Sequence, residues 1–569
     1  MSILEKNPHD QISFEGGIQA GYDPVLGTYN NVKSPNRTSV RSSDACFVDR
    51  GSLRSGRCVD ILSRGGIGLL HQHAVVGFLH GVIPAILFPF FLNYLNTEST
   101  VAVAASALMD IPWSLKFFFG MLTDNVPILG YRRRPFMLLG WMICGVSLLV
   151  ASLRTMPRPY YPDPAWRTIK PKDYTDTIKE NINYSAQNEA RSYTIFFAIA
   201  TFGYILADST ADAVMIEYAQ REPHAMRGTI QAGCTFVRSI FAVLAHIVIM
   251  FGLNSEDYGG TFTFAFSISN ILLLLALFVF SAIPITWLMV YEEIFLAVDF
   301  REYIRKLWEM LQSRVVYQVI GFSMLTSFLV SIENVADEVI MVYWMRISPL
   351  TLNIIAIAAF SLYGAGIFIS GRYGLMWSWR KTLAFCIIFL VIIDVMYALP
   401  VCFNVVRSSW ILYARVILQS IPLGIHFMVE LYVIVELCNE GAEGTCAGLL
   451  TTIMNLGSPL AASFTKAISS SFAVTNEDIQ NDSMETRRDA AILYLIPAAA
   501  KIGTLLLLPL LPRQKAETLE LKNRGGSKAM GIFTIAYLVL VWGWSLLVNC
   551  LTMFESTRCL AIAGGCKKG

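Results

Sequence analysis

Thirteen apolar stretches separated by polar breaks organise the chain: 71–95, 99–123, 135–155, 193–218, 229–253, 261–291, 315–344, 351–371, 381–403, 409–437, 445–471, 489–512 and 529–553. Each is long enough to cross a hydrocarbon core as a helix, which takes roughly 20 residues, so the pattern predicts twelve spanning helices plus one. Between the sixth and seventh stretches the pattern changes. There, apolar positions recur every three or four residues among charged ones, as in a helix lying along a membrane surface. This predicts a polar tail over 1–66, a six-helix bundle over 67–291, a linker with an amphipathic helix over 292–314, and a second bundle over 315–512. A basic linker, a thirteenth crossing and a short tail follow over 513–569. The segment 1–66, rich in Gly, Ser, Asn and Arg, has no signal-peptide pattern and is expected to be flexible.

Composition agrees with the pattern. With 54% hydrophobic and 15% charged residues and a mean hydropathy of +0.52, the chain reads as an all-α polytopic membrane protein embedded in a lipid bilayer. A net charge of +2 without an extended basic patch argues against nucleic acid as a partner. The basic residues do fix an orientation. Arg132–Arg134, Arg221 and Arg227, Arg301 to Lys306, Arg380 and Lys381, and Arg513 and Lys515 all fall on one side of the predicted membrane, which makes the N-terminus cytoplasmic. The loops 156–192 and 475–488 then face outward, and they carry the glycosylation acceptors Asn183 and Asn481. A third acceptor, Asn36, should be silent. The outward acceptors make the plasma membrane the expected location. The eleven Cys include no CxxC pair; Cys559 and Cys566 can form a disulfide if the C-terminus is extracytoplasmic.

Several spans carry ionisable residues, which are costly in lipid unless paired or wetted and so mark polar pathways. Asp208 and Asp212 lie four apart on one helix face, as do Glu333 with Asp337 and His426 with Glu430. Asp110, Lys116 and Arg238 sit in neighbouring spans. His73 and His80 share a face of the first span but are expected to be plain bundle residues. An Asp212–Arg238 pair that merely holds two helices together is the competing structural explanation. The two halves also look related. Glu217, a polar turn and Gly228–Thr229 end and reopen spans in the first, and Glu436, a turn and Gly444–Thr445 do so in the second. Such parallel repeats are typical of two-bundle transporters.

The turn after the second span, Gly120-Met-Leu-Thr-Asp124-Asn-Val-Pro-Ile-Leu-Gly130-Tyr-Arg132-Arg133-Arg134, resembles the Gly-x-x-x-Asp-x-x-Gly-Arg-Lys loop of the major facilitator superfamily, with a longer gap before the arginines. Asp124 can pair with an arginine or with a helix N-terminus, forming a charge clasp at the inner face, and which arginine it chooses is open. Gly120 and Gly130 are read as turn glycines. Together with Ala207-Asp-Ser-Thr-Ala-Asp-Ala-Val-Met-Ile-Glu217 and the run from Glu443 to Ser458, this turn is similar to the folate–biopterin transporter family of that superfamily, over about residues 70–555.

The resemblance implies a major-facilitator-type fold of two six-helix bundles, here with one extra C-terminal transmembrane helix. It implies a secondary carrier for folate or an unconjugated pteridine such as biopterin, working by alternating access, or for S-adenosylmethionine as in some members. Spans one, four, seven and ten would line the cavity. Asp208 or Asp212 would bind the pterin ring through its adjacent N–H and amino groups, and Arg238 or Lys116, with Asp110 nearby, would meet a glutamate tail. Proton symport would fall to Glu333, Asp337, Glu430 and His426, and gating to Gly120, Asp124, Gly130, Arg132 and Arg133. No cofactor, metal site or enzymatic activity is expected: the seven His form no HExxH, and no GxxxxGK[ST] loop occurs. A nutrient sensor that binds without transporting would carry the same sequence.

Overall fold

The computed structural model describes residues 51–557, apart from 98, 170–173, 296–298, 335, 346–348, 470, 475 and 554–556. Asn36, Cys559 and Cys566 lie outside the described residues. In the first half, α1 (Arg64–Ile86) continues as a wider π-helical turn through Pro89 to Tyr94. Next come α2 (Ser99–Ser114), α3 (Lys116–Asn125), α4 (Arg134–Leu153), α5 (Ala186–Gln220), α6 (Thr229–Gly252) and α7 (Ile268–Met289). The amphipathic helix α8 (Phe300–Gln312) follows, burying Tyr303, Leu307, Met310 and Leu311. The second half contains α9 (Arg314–Val330), α10 (Asp337–Tyr343), α11 (Pro349–Ile369), α12 (Trp379–Cys402), α13 (Ser409–Leu437), α14 (Glu443–Ser469) and α15 (Met484–Gly503). A short α16 (Lys515–Asn523) and the apolar α17 (Lys528–Met553) close the chain.

Every predicted span coincides with a helix or a broken pair of helices, and ten helices among the described residues are long and apolar enough to cross a membrane. Two spans are broken. In the second, the helix runs through Pro112 and the chain steps at Leu115, whose N–H donates to the Pro112 carbonyl at 3.0 Å, so Lys116 opens α3. The seventh is interrupted between Val330 and Asp337, where Ser331, Glu333 and Asn334 break the apolar run. Glu333 lies in the break, exposed, and does not share a helix face with Asp337.

One apolar core is built wholly from residues between Leu69 and Val290; a second draws mainly on residues between Tyr303 and Leu521. The halves meet along two seams, α3 against α14 and α6 against α11. At the first, a Cβ on Gly120 would lie 2.1 Å from the Gly444 carbonyl oxygen. Gly120 is therefore a point of helix contact rather than a turn residue. Gly130, at φ +79°, does make a turn. Carboxylates cap two helix starts by accepting their free N–H groups: Glu292 binds Arg132, Arg133 and Arg134 at 2.7–2.9 Å, and Glu222 binds Gly228 and Ile230 at 2.7 and 3.0 Å.

Residues 51–63 are docked, in contrast to the flexible tail expected over 1–66. The N–H groups of Leu53 and Arg54 donate to the Gln220 carbonyl at 2.9 and 3.2 Å, Arg227 donates to the Gly51 carbonyl, and Ser63 caps α1. The signal for this docking is a charge imbalance at the neighbouring clasp.

Candidate functional site

The clasp forms at the end of the bundle where α3, α4, α5 and α14 converge. Asp124 binds Arg133 at 2.7 Å. It also accepts from the N–H groups of Gly444 and Thr445 and from the Thr445 hydroxyl, at 3.2, 2.7 and 2.7 Å. Both partners foreseen for this carboxylate, an arginine and a helix N-terminus, are thus used at once, and Arg133 is the arginine. Glu217 lies 3.0 Å from Arg132 and 2.9 Å from Arg133; Glu443, from the other half, lies 3.2 and 3.3 Å from the same two. Arg54 completes the set, 2.6 Å from Glu443. Three carboxylates face three guanidinium groups, with Asp124, Arg133 and Glu443 at most 2% exposed. Charges this buried persist only when matched and hydrogen-bonded. A second tie between the halves, Arg227 to Glu436 at 2.8 Å, lies beside it. Arg54 and Arg227 were not singled out in the sequence as site residues.

Away from this end, a cavity of about 820 Å³ lies between the halves. Its floor holds a second charge cluster. Lys116 reaches Asp208 and Asp212 at 2.6 and 2.9 Å, and Arg238 reaches Asp208 at 3.1 Å. Asp208 is fully buried with both oxygens engaged and does not line the cavity. Arg238 thus pairs with Asp208, not with Asp212, and Asp212, Lys116, Arg238 and Asp110 face the cavity instead. Asp110 is exposed and has no ion-pair partner among the described residues. Trp113 forms the aromatic wall, with the Lys116 ammonium 4.8 Å and the Arg238 guanidinium 5.7 Å from its ring; His80 meets its edge at 5.5 Å. His73 and His80 both line the cavity rather than serving only as bundle residues. Atoms of His73, Asp208 and Asp212 lie within 4.8 Å of one another, a spacing that could hold a cation, but the Lys116 ammonium already bridges the two carboxylates.

The second half contributes differently from expectation. Phe360 and Tyr363 of α11, Phe427 and Leu431 of α13, and Thr451 to Ala462 of α14 face the cavity, and among the described residues none from span seven does. His426 and Glu430 lie 4.0 Å apart beside the cavity-facing Phe427 and Leu431 without lining the cavity themselves. Asp337 belongs to a separate cluster. It pairs with Arg415 at 3.2 Å and accepts from the Tyr494 hydroxyl, while Asp394 binds Arg415 and Lys501 at 3.0 and 2.7 Å. The ionisable Asp394 and Arg415, inside apolar runs, were a signal the sequence offered. Of the expected acceptors, Asn183 hydrogen-bonds the Arg158 carbonyl at 2.9 Å, and Asn481 is exposed.

The BT1 family matches residues 77–158, which carry α2, α3, the Asp124 turn and α4. Folate transporter 1 of Plasmodium falciparum (isolate 3D7) is 23% identical over 145 residues, 24% of this chain and 28% of that protein. Probable folate-biopterin transporter 2 of Arabidopsis thaliana is 23% identical over 208 residues, 36% of this chain and 35% of that protein. Over these parts of its length the chain is similar to folate–biopterin transporters. Its matches span about a third or less of the length of these family relatives. The fold is similar to that of solved major-facilitator-type symporters. A proton:xylose symporter, XylE, bound to 6-bromo-6-deoxy-D-glucose superposes with a TM-score of 0.51 at 9% identity, over 77% of this chain and 93% of that one. A D-xylose–proton symporter gives 0.51 at 10% identity, over 79% and 97%.

Proposed function

We propose that this protein is a secondary transporter that carries folate or an unconjugated pteridine across a membrane by alternating access. One observation carries the proposal: a cavity of about 820 Å³ between the halves, with charged groups of both signs around an aromatic wall, sealed at one end by a buried charge clasp. Its volume falls within the roughly 300–1,000 Å³ typical of small-ligand sites. A pterin is flat, and Trp113 offers a face for stacking. Its adjacent N–H and amino donors suit a carboxylate bound side-on, and Asp110 is the exposed one. Arg238, 23% exposed, suits the carboxylates of a folate tail. Asp208, enclosed by two cations, acts as the counter-charge that positions Lys116 and Arg238.

The clasped end is proposed to be cytoplasmic, on the distribution of Lys and Arg in the loops, so that the cavity faces outward with the inner gate shut. Proton coupling is part of the proposal, with Asp110 in the cavity and the His426–Glu430 pair beside it as the candidate carriers. Purified protein in liposomes should exchange labelled folate or biopterin in counterflow. Trp113→Ala and Asp110→Asn should each reduce that exchange on the order of tenfold or more. Exchange of S-adenosylmethionine alone would reassign the substrate, and binding without exchange would make the protein a sensor. An acidic exterior should accelerate uptake and a protonophore should abolish the acceleration; indifference to both would remove the coupling and leave the carrier.

A further inference from the structure

The last helix does more than extend the bundle. α17 packs against α2 of the first half and against α9 and α14 of the second, with its beginning on α8. It therefore lies across the outside of the seam between α2 and α14. Its inward stripe follows helical periodicity: Thr534, Leu538, Val541, Ser545 and Val548 recur at intervals of three and four. Thr534 and Ser545 are 1% exposed and Val541 9%, while Ile532, Val539 and Leu540, on other faces, are 62–71% exposed. Trp542 anchors the helix by a tilted ring contact with Phe118 of α3, centroids 5.2 Å apart.

The seam it covers is made of small side chains. Ser106 and Ala107 on α2, and Ser458 and Ala462 on α14, border the cavity, and Ser545 and Val548 of α17 complete the same boundary. Helices lined by small residues at such a junction leave space between them that a third helix can fill. Without α17, a cavity carrying Asp110, Lys116 and Arg238 would open sideways onto hydrocarbon, where polar groups are expensive.

We propose that α17 is a transmembrane wall of the substrate cavity and that Ser545 is a specificity-determining position on it. This rests on the transport reading given above. In full-length protein in liposomes, Ser545→Cys should keep counterflow and become sensitive to a membrane-impermeant methanethiosulfonate, with excess substrate protecting it. Leu540→Cys and the wild type should stay insensitive. Ser545→Trp should lower kcat/KM on the order of tenfold, chiefly through KM, with the protein reconstituted at the wild-type level. The wall assignment is overturned if the Ser545→Cys variant reacts no faster than the Leu540→Cys variant, and the specificity role if Ser545→Trp leaves KM unchanged for every substrate the wild type carries. If the wild type carries none of the labelled compounds, the transport reading fails, while the labelling comparison still decides where Ser545 faces.

Discussion

At the scale of single residues, the clasp is the point of greatest leverage. Asp124→Asn keeps the side-chain shape but leaves Arg54, Arg132 and Arg133 facing two buried carboxylates, Glu217 and Glu443, with the exposed Glu440 3.7 Å from Arg54. Breaking a buried pair by removing one partner costs about 3–5 kcal/mol, so the sealed state should lose most of its population. A cysteine introduced by Thr452→Cys, at a position 2% exposed on α14 next to the α3 seam, should then react with thiol reagents far faster in Asp124→Asn than in the otherwise native protein. Equal reactivity would refute the clasp as a seal. The sequence made Asp124 legible because its motif places a carboxylate and arginines across a turn. It made Asp208 and Asp212 legible as a pair but not which of them sees the cavity. Asp208 is buried beneath Asp212 by the neighbouring helices, and one-helix periodicity contains no information about that packing.

At the scale of elements, the spans were legible because only apolar helices of sufficient length can cross a membrane, and each stretch became helical. The break in the seventh was not: Ser331, Glu333 and Asn334 interrupt the apolar run there, but Glu333 and Asp337, four apart, fit one face of a continuous helix equally well. A second element-scale contact joins two loops. Asp482 receives Arg407 through a pair of bonds at 2.8 Å and Arg487 at 2.7 and 2.9 Å, and Arg407 also lies 3.9 Å from the Trp344 ring. Burial works against the Asp482 carboxylate, but the hydrogen bonds and charges of Arg487 and Arg407 outweigh it and hold its pKa down to about 2. A lowered carboxyl pKa stabilises the fold above the unfolded value of roughly 3.9, and the effect fades as pH falls towards the folded value. Asp482→Asn should therefore destabilise the protein by about 1 kcal/mol at pH 7. The gap in melting temperature between variant and wild type should be as large at pH 5 and should narrow below pH 4. A gap independent of pH down to 3 would mean that charge is not what the clamp uses.

For the whole molecule, the linker and the paired Glu…Gly-Thr turns led to the expectation of two related halves, and the residues on each side of the linker carry their own cluster of two aspartates, one lysine and one arginine. What escaped notice was Arg54. It sits in a polar stretch with no periodicity, and the need for a third cation appears only once Asp124, Glu217 and Glu443 are brought together from three distant helices. The first of the docked residues thus hold on to both halves at the same moment, to Gln220 in one and Glu443 in the other. Opening that end of the bundle must tear this short strand from one of its two anchors. It is a natural tell-tale: if the protein cycles as proposed, a protease recognition sequence inserted at the exposed Gly56 should be cut slowly while that end stays sealed and quickly when substrate drives it open, turning each cycle into a countable snip.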